Sequence, residues 1–597
     1  MHVIATAGHV DHGKSALLRA LTGMEPDRWA EERRRGLTID LGYAWMRLPS
    51  GESLAFVDVP GHARFVSNML AGVGPVPAVL FVVAADGGWM PQSAEHLAAI
   101  DALGISRGLV AITRSDLADP SRTMAQALSQ IRRSSLGDAP AIAVSAVTGA
   151  GLPELTSALS ELAAAMPAPD PRAPVRIWID RAFSITGSGT VVTGTLPAGT
   201  VGRGDELVIT PAMRTVRVRA VQSLGRGADD VRGVARVALN LRGVELADVA
   251  RGMALIRAGQ WTLTRQVDVR VTGTAHDLPQ AITVHIGAAH TPARVRMLGA
   301  GLARLALRDA LPLHVGERVL LRDPGAAREQ AVASESPWRG LFGAVVLDPG
   351  PPPLTRRGAA AAAAAELSSW PDRPAAEDLI RRRRFVQAAE LRATGVDALP
   401  QPVAAGWLAD AGHWAHLAAR LAELVAAHGI ADPLAPGLPV DAARDALGLP
   451  DRRLVLALAA STPSVALKGG VLTGQGGTSD LPAPLAAAVA SLLADLRDRP
   501  FDAPEAGRLH ELGLDKRDLA VAARHGALLR LSDQVVLAPD AGSQAARILA
   551  GIDQPFTTSQ ARTALGSTRR TVIPLLEHLD RQRITQRLPD DRRRIRP

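Results

Sequence analysis

Gly8-His9-Val10-Asp11-His12-Gly13-Lys14-Ser15 sets two glycines, a lysine and a hydroxyl at the spacing G-x-x-x-x-G-K-[ST]. An apolar run over residues 2–6 precedes it and a helical pattern from Ala16 follows, so a strand–loop–helix is expected. In that setting the glycines let backbone N–H groups close around a β-phosphate. Lys14 reaches the β- and γ-phosphates as a point charge, and Ser15 offers its hydroxyl to Mg²⁺. The chain has only three lysines (Lys14, Lys468 and Lys516) among 67 basic residues. One of the three therefore stands where a compact ammonium is wanted and a planar guanidinium is not.

Three further segments fit the same chemistry. Asp58-Val-Pro-Gly61-His62 follows an apolar run: Asp58 is placed to hold Mg²⁺ through water, the Gly61 N–H to meet a γ-phosphate, and His62 to orient an attacking water. Between the two motifs, Arg35-Gly-Leu-Thr38-Ile39 offers the Thr38 hydroxyl to Mg²⁺ when a γ-phosphate draws the loop in, an order–disorder switch. Thr113-Arg114-Ser-Asp116 ends a third apolar run. The Asp116 carboxylate can accept from N1 and N2 of guanine, and Ser145-Ala146 suits the O6 side. Thr113 and Arg114 stand where N-K-x-D is the common pattern, so base choice rests mainly on Asp116.

The elements that must position these residues follow from pattern. Residues 1–170 alternate buried apolar runs (2–6, 54–58, 79–85, 109–113 and 141–145) with helical stretches, as in a doubly wound α/β domain. A proline-rich linker follows, 166–174. From there to 348 the pattern is short alternating strands with glycine turns, read as two β-barrels, 174–258 and 259–348, with the break near Gln260. Residues 355–597 are rich in Ala, Leu and Arg. Their helices end repeatedly in short apolar strands, giving about four winged-helix units, the last about 546–597 and a separate folding unit. The fold expected is multidomain: an α/β P-loop domain, two β-barrels, then tandem α+β winged helices.

Composition narrows the classes. The chain has 597 residues, 47% apolar and 21% charged, the make-up of globular domains. No apolar run reaches membrane-spanning length and no signal peptide opens the chain, so no membrane partner is expected. There is no cysteine, which excludes disulfides and thiolate zinc sites and suits a cytoplasmic protein. The net charge of +8 points to an acidic partner such as nucleic acid. In the last unit, Ser567-Thr-Arg569-Arg570 opens the expected recognition helix, and the wing carries Arg587, Arg592, Arg593 and Arg594. Winged helices commonly bind nucleic acid through such surfaces, and an RNA hairpin is recognised through its backbone and splayed loop bases. The run Arg381–Arg384 is read as a solvated helix face or a nonspecific contact with an acidic partner.

The segments G-H-V-D-H-G-K, R-G-x-T-I, D-x-P-G-H and Ala85-Asp-Gly-Gly-Trp-Met-Pro-Gln-Ser-Ala-Glu-His96 resemble the translational GTPase family over residues 1–347. Within it, Arg35-Gly-Leu-Thr-Ile-Asp-Leu-Gly-Tyr43, Ile179-Asp-Arg-Ala-Phe183 and Gly187-Ser-Gly-Thr-Val-Val-Thr-Gly-Thr195 resemble the selenocysteine-specific elongation factors, as does a long helical arm. The gamma subunit of the archaeal and eukaryotic initiation factor is the nearest rival, but lacks such an arm. A GTPase-switched winged-helix regulator of DNA is the rival from another class. The resemblance implies GTP/GDP and Mg²⁺ as cofactors, and selenocysteinyl-tRNA, an mRNA hairpin (SECIS) and the ribosome as partners of a monomer. It also implies an aminoacyl pocket with Asp180, Arg181 and Arg236 as its polar residues. A selenol is acidic enough to arrive as an anion, which two arginines would favour over a neutral seryl group.

Overall fold

The computed structural model describes residues 1–26, 40–60, 66–74, 76–187, 189–272, 278–325, 340–432, 435–474, 481 and 483–596. They divide into two compact units, residues 1–402 with 406–409, and 403–405 with 410–597.

The first unit opens on a six-stranded sheet of β1 (His2–Ala7), β2 (Gly42–Arg47), β3 (Ser53–Asp58), β4 (Val79–Ala84), β5 (Gly108–Thr113) and β6 (Ala141–Ala143), in the order β2-β3-β1-β4-β5-β6. All pairs are parallel except β2 with β3, a hairpin edge. Every residue of β4 and β5 is buried, as helices on both faces require of continuous apolar strands. The segments carrying the nucleotide chemistry leave the C-terminal ends of β1, β3, β5 and β6, the edge where open α/β sheets bind ligands.

A first barrel follows: β7 (Arg176–Ile185), β8 (Gly189–Leu196), β9 (Thr200–Gly202), β10 (Glu206–Thr210), β11 (Arg214–Ser223), β12 (Arg226–Ala228), β13 (Asp230–Arg232), β14 (Ala235–Arg242) and β15 (Ala254–Ile256). The order β10-β15-β7-β8-β14-β11 closes through β10–β11 pairing. In β14, Ala235, Val237, Leu239 and Leu241 point into the barrel, so Arg236 must point out. In β7 the register shifts between Ile179 and Arg181, a bulge that turns Asp180 and Arg181 to one side while Ile179 stays in the core.

The second barrel, β16 (Thr262–Thr272), β17 (Ala281–Ile286), β18 (Ala289–Gly299), β19 (Leu302–Leu313), β20 (Arg318–Arg322) and β21 (Leu341–Asp348), is closed. A small helical unit with the hairpin Phe385–Gln387 and Trp407–Ala409 packs on it. This contact overturns the solvated reading of Arg381–Arg384. Arg382 and Arg383 have side chains only 5% and 9% exposed. They pair with Asp268 and Asp348, both fully buried, beside Arg304, which clamps Asp268 at 2.7 and 2.9 Å. Arg381 and Arg384 face water in the expected way, the Arg381 side chain 59% exposed.

The second unit holds three helix-and-hairpin modules, with hairpins Val465–Lys468/Val471–Gly474, Leu529–Ser532/Val535–Leu537 and Thr585–Arg587/Arg593–Ile595. The last two are not independent. One continuous core runs from Leu485 through Phe501, Val536 and Phe556 to Leu579. Ser567 and Arg570 donate to the carbonyls of Phe501, Pro504 and Gln534. A boundary at 546 therefore cuts through a shared core.

Candidate functional site

The loop after β1 is a cradle of backbone groups. Gly8 sits at φ 131°, and a Cβ there would collide with the carbonyl oxygen of Val82, so only glycine lets the loop pass β4. Gly13 is the N-cap of helix Lys14–Thr22, which contains Ser15 and Ala16 and aims its first-turn N–H groups at the cradle. Lys14 Nζ donates to the carbonyls of Gly8 (3.0 Å) and His9 (2.7 Å), an arch that holds the ammonium over the loop.

Helix Pro91–Ala102 supports the loop from below. Gln92 Oε1 accepts the Val10 N–H at 3.2 Å, and His96 Nδ1 accepts the Gly8 N–H at 3.0 Å. Burial, with Lys14 and His9 nearby, pushes His96 down to about 3, so it stays neutral and able to accept. Burial with His9 and Lys14 likewise pushes His12 down to about 4. Sequence reasoning quoted Gln92 and His96 only as part of a motif. Their i, i+4 spacing on a helix, which puts both on one face, was the available signal.

Ser15 Oγ donates to Asp58 Oδ2 at 2.7 Å, and Thr6 Oγ1 donates to Asp58 Oδ1 at 2.6 Å. A buried carboxylate fixed by a hydroxyl on each side is a donor set that suits Mg²⁺, a hard cation that takes oxygen ligands and keeps several waters. The cradle of N–H groups and Lys14 suits a nucleotide's phosphates. Thr38, Gly61 and His62 lie outside the described residues.

At the base end, Asp116 is exposed after β5 and Ser145 is buried after β6, its Oγ accepting N–H bonds from Val147 and Thr148 at 3.3 and 3.1 Å. Ala146 follows it. Leu117 and Val147, 66% and 87% exposed, follow the ends of these neighbouring strands. Thr113 and Arg114, the departures from the common pattern, tie the base strand to the phosphate loop. Thr113 Oγ1 donates to the His12 carbonyl at 2.7 Å, and Arg114 donates to the Asp11 carbonyl and pairs with Asp86 at 3.0 Å.

A second cavity, of about 350 Å³, lies between β2–β3 and the first barrel, lined by Tyr43, Trp45, Arg181, Phe183, Thr193 and Arg236 among others. Arg236 forms a two-point pair with Asp180, with Nη2–Oδ1 at 2.9 Å, and Asp180 also accepts from Thr193 Oγ1 at 2.7 Å. Arg181 turns to the first domain instead: its Nε donates to Asp40 at 3.2 Å and an Nη donates to the Leu41 carbonyl. Both guanidiniums lie over the ring of Tyr43, at 4.0 Å for Arg236 and 5.1 Å for Arg181. Burial pushes the Tyr43 hydroxyl up, so it remains a neutral donor. The three residues named from sequence do meet, but each arginine already has a carboxylate. Asp40, Tyr43 and Thr193 are site residues the sequence reading missed.

In the last module, Arg569, Arg570, Arg587, Arg592 and Arg594 are exposed, with Arg587 paired to Asp591 and Arg592 to Asp590. Arg593 does not belong with them: its side chain is 7% exposed and locked to Asp580 at 2.9 Å, which anchors the wing to helix Arg569–Arg581.

Comparison with known proteins agrees along the chain. The elongation factor Tu GTP binding domain matches residues 1–165. The beta-barrel domain of selenocysteine-specific elongation factor matches residues 266–352, and the elongation factor SelB winged helix matches 547–594. The selenocysteine-specific elongation factor of Desulfomicrobium baculatum is 44% identical over 257 residues, 42% of this chain and 40% of that protein. That of Escherichia coli (strain K12) is 39% identical over 336 residues, 55% and 54% of the two chains. The chain spans about half the length of the curated relatives it matches. A crystal structure of bacterial selenocysteine-specific elongation factor EF-Sec superposes with a TM-score of 0.75 over 100% of both chains at 24% identity, a likeness of fold.

Proposed function

We infer that this chain is a GTP-dependent carrier of the selenocysteine-specific elongation factor family, bringing selenocysteinyl-tRNA to the ribosome at UGA codons marked by an mRNA hairpin, the SECIS element. It hydrolyses GTP when the codon is recognised. Lys14 and the N–H groups of residues 8–15 hold the phosphates, and Asp116 with Ser145 and Ala146 selects guanine. Ser15 and Asp58 are the residues to hold Mg²⁺, with Thr38 joining them. Bound Mg²⁺ would supply positive charge against the β- and γ-oxygens as the terminal bond breaks. His62, assigned from its motif, orients the water. Docking on the ribosome would place it, and tRNA release would follow. The exposed arginines of the last module would grip the hairpin through its phosphates.

The observation that carries the reading is the cavity holding Arg181 and Arg236 over Tyr43. A selenolate brings one negative charge, and each arginine has N–H donors beyond those its carboxylate takes. A seryl hydroxyl brings no charge. A charge-assisted hydrogen bond is worth about 1.5–3 kcal/mol, so two arginines separate the aminoacyl groups by roughly two decades. The test is dissociation of selenocysteinyl-tRNA and seryl-tRNA on one tRNA body, with a GTP analogue, at one salt concentration. Arg181→Ala should reduce the preference at least tenfold with seryl-tRNA little changed. Arg236→Ala should do the same, with thermal melting run alongside because it strands buried Asp180. A preference that survives both substitutions would return the arginines to a structural role.

A further inference from the structure

We propose that Asp40 is a latch that couples the nucleotide site to Arg181, occupying this arginine in the GDP form and releasing it to the aminoacyl group in the GTP form. The inference rests on the carrier reading above and deepens it. The two pocket arginines differ in where their partners live. Arg236 is held by Asp180 and Thr195, both on its own barrel, and the described residue it meets in the nucleotide domain is the uncharged ring of Tyr43. Arg181 is held by Asp40 and the Leu41 carbonyl, 141 and 140 positions away in the nucleotide domain. While Asp40 sits on Arg181, an incoming anion must compete with a carboxylate.

A line of direct contacts runs from the phosphate site to this pair. Ser15 bonds Asp58, and Asp58 lies opposite Gly42 in the β2–β3 register. A Cβ on Gly42 would stand only 3.0 Å from the Asp58 Cβ, so the strands press together there and the start of β2 follows Asp58 closely. Asp40 and Leu41 directly precede Gly42, and Asp40 lies two residues after Thr38. Asp40 also has a second berth: its Oδ1 accepts from Arg251 Nη1 at 3.1 Å. Leaving Arg181 therefore does not strand a bare carboxylate, which keeps the cost of release small. A carboxylate shared between two arginines, one of which lines the ligand cavity, can change partners with little loss in either state.

Asp40→Asn keeps the shape and removes the charge. In the GDP form it should slow selenocysteinyl-tRNA dissociation about tenfold and raise the selenocysteinyl-to-seryl preference by a similar factor. In the form bound to a GTP analogue, the preference should change by less than about threefold. Arg251→Gln removes the second berth, so it should weaken selenocysteinyl-tRNA binding in the GTP form about fivefold and leave the GDP form alone. A gain of binding in one variant cannot come from misfolding. No gain in the GDP form of the Asn variant, or a loss confined to its GTP form, overturns the latch: the second would make Asp40 an orienting group for Arg181. Wild type measured with the GTP analogue separates the two readings. If it already fails to prefer selenocysteinyl-tRNA, the carrier reading falls and the latch falls with it. If it does prefer it and the Asn variant behaves as wild type, the latch alone is lost.

Discussion

His96 carries the phosphate loop through one hydrogen bond that exists only while its imidazole is neutral, and its surroundings keep it so. The Gly8 N–H needs an unprotonated Nδ1 at 3.0 Å, and burial beside Lys14 and His9 holds the ring down at about 3. The sign for acid stability follows. The unfolded chain takes the proton near the ordinary value of 6.5 while the folded chain does not. The contribution of His96 is therefore fully present above about 6.5, declines as pH falls toward about 3, and levels off below that. Its slope approaches about 1.4 kcal/mol per pH unit, and His12 adds in the same direction down to about 4. Thermal melting between pH 7 and pH 5 should show a shallower loss for His96→Gln, since glutamine accepts the same bond without titrating. Parallel pH profiles for the two proteins would show that His96 does not control this loop. The placement of the phosphate loop, Asp58 and Asp116 at strand ends was legible from spacing alone, because each lies within one strand–loop step. The support from Gln92 and His96 comes from a helix over 80 residues later, where spacing in the sequence says nothing about distance.

At the scale of elements, the same residue type does opposite things one position apart. Arg381 faces solvent, while Arg382 reaches Asp268 and Asp348 across the contact between helix Ala376–Arg383 and the second barrel. Replacing Arg382 with Ala leaves two buried carboxylates under-compensated and should cost about 3 kcal/mol or more, read as a lower unfolding midpoint of the first unit. Arg381→Ala should stay within about 0.5 kcal/mol. Small, equal effects would restore the solvated face that composition suggested. The barrel strands show what alternation can and cannot deliver. The two-residue period puts Arg236 outside the barrel, but Asp180 and Arg181 reach the same side only through the bulge in β7, and a bulge leaves no mark in an alternating pattern.

For the whole molecule, the division near residue 409 decides how the arm can be tested. The nucleotide domain, both barrels and the first helical module form one compact unit, and residues from 410 onward form another. A chain ending at Ala409 should bind GTP and selenocysteinyl-tRNA within about threefold of the complete chain and lose affinity for a SECIS hairpin RNA. Hairpin affinity retained after that truncation would move the RNA site into the first unit. Cutting before residue 546 is the poorer experiment: it opens the core shared by the last two modules, and loss of RNA binding would then report unfolding. Among the described residues no helix is long and apolar enough to cross a membrane.

Short-range chemistry was written in the order of residues. The strand–glycine loop–helix, the Asp58 turn and Asp116, proposed to select guanine, each need only a few adjacent positions, so their roles could be proposed before any contact was known. The succession of α/β sheet, barrels and winged modules was equally open, because hydrophobic period changes with element type. The partners of charged residues were not. Nearly all the basic residues are arginine, so residue type cannot tell Arg593, locked to Asp580, from Arg592 beside it, nor Arg382 from Arg381. Ion pairs form where packing brings side chains together and excludes water. Asp40 and Arg181, 141 positions apart, become neighbours only once the nucleotide domain and the barrel meet.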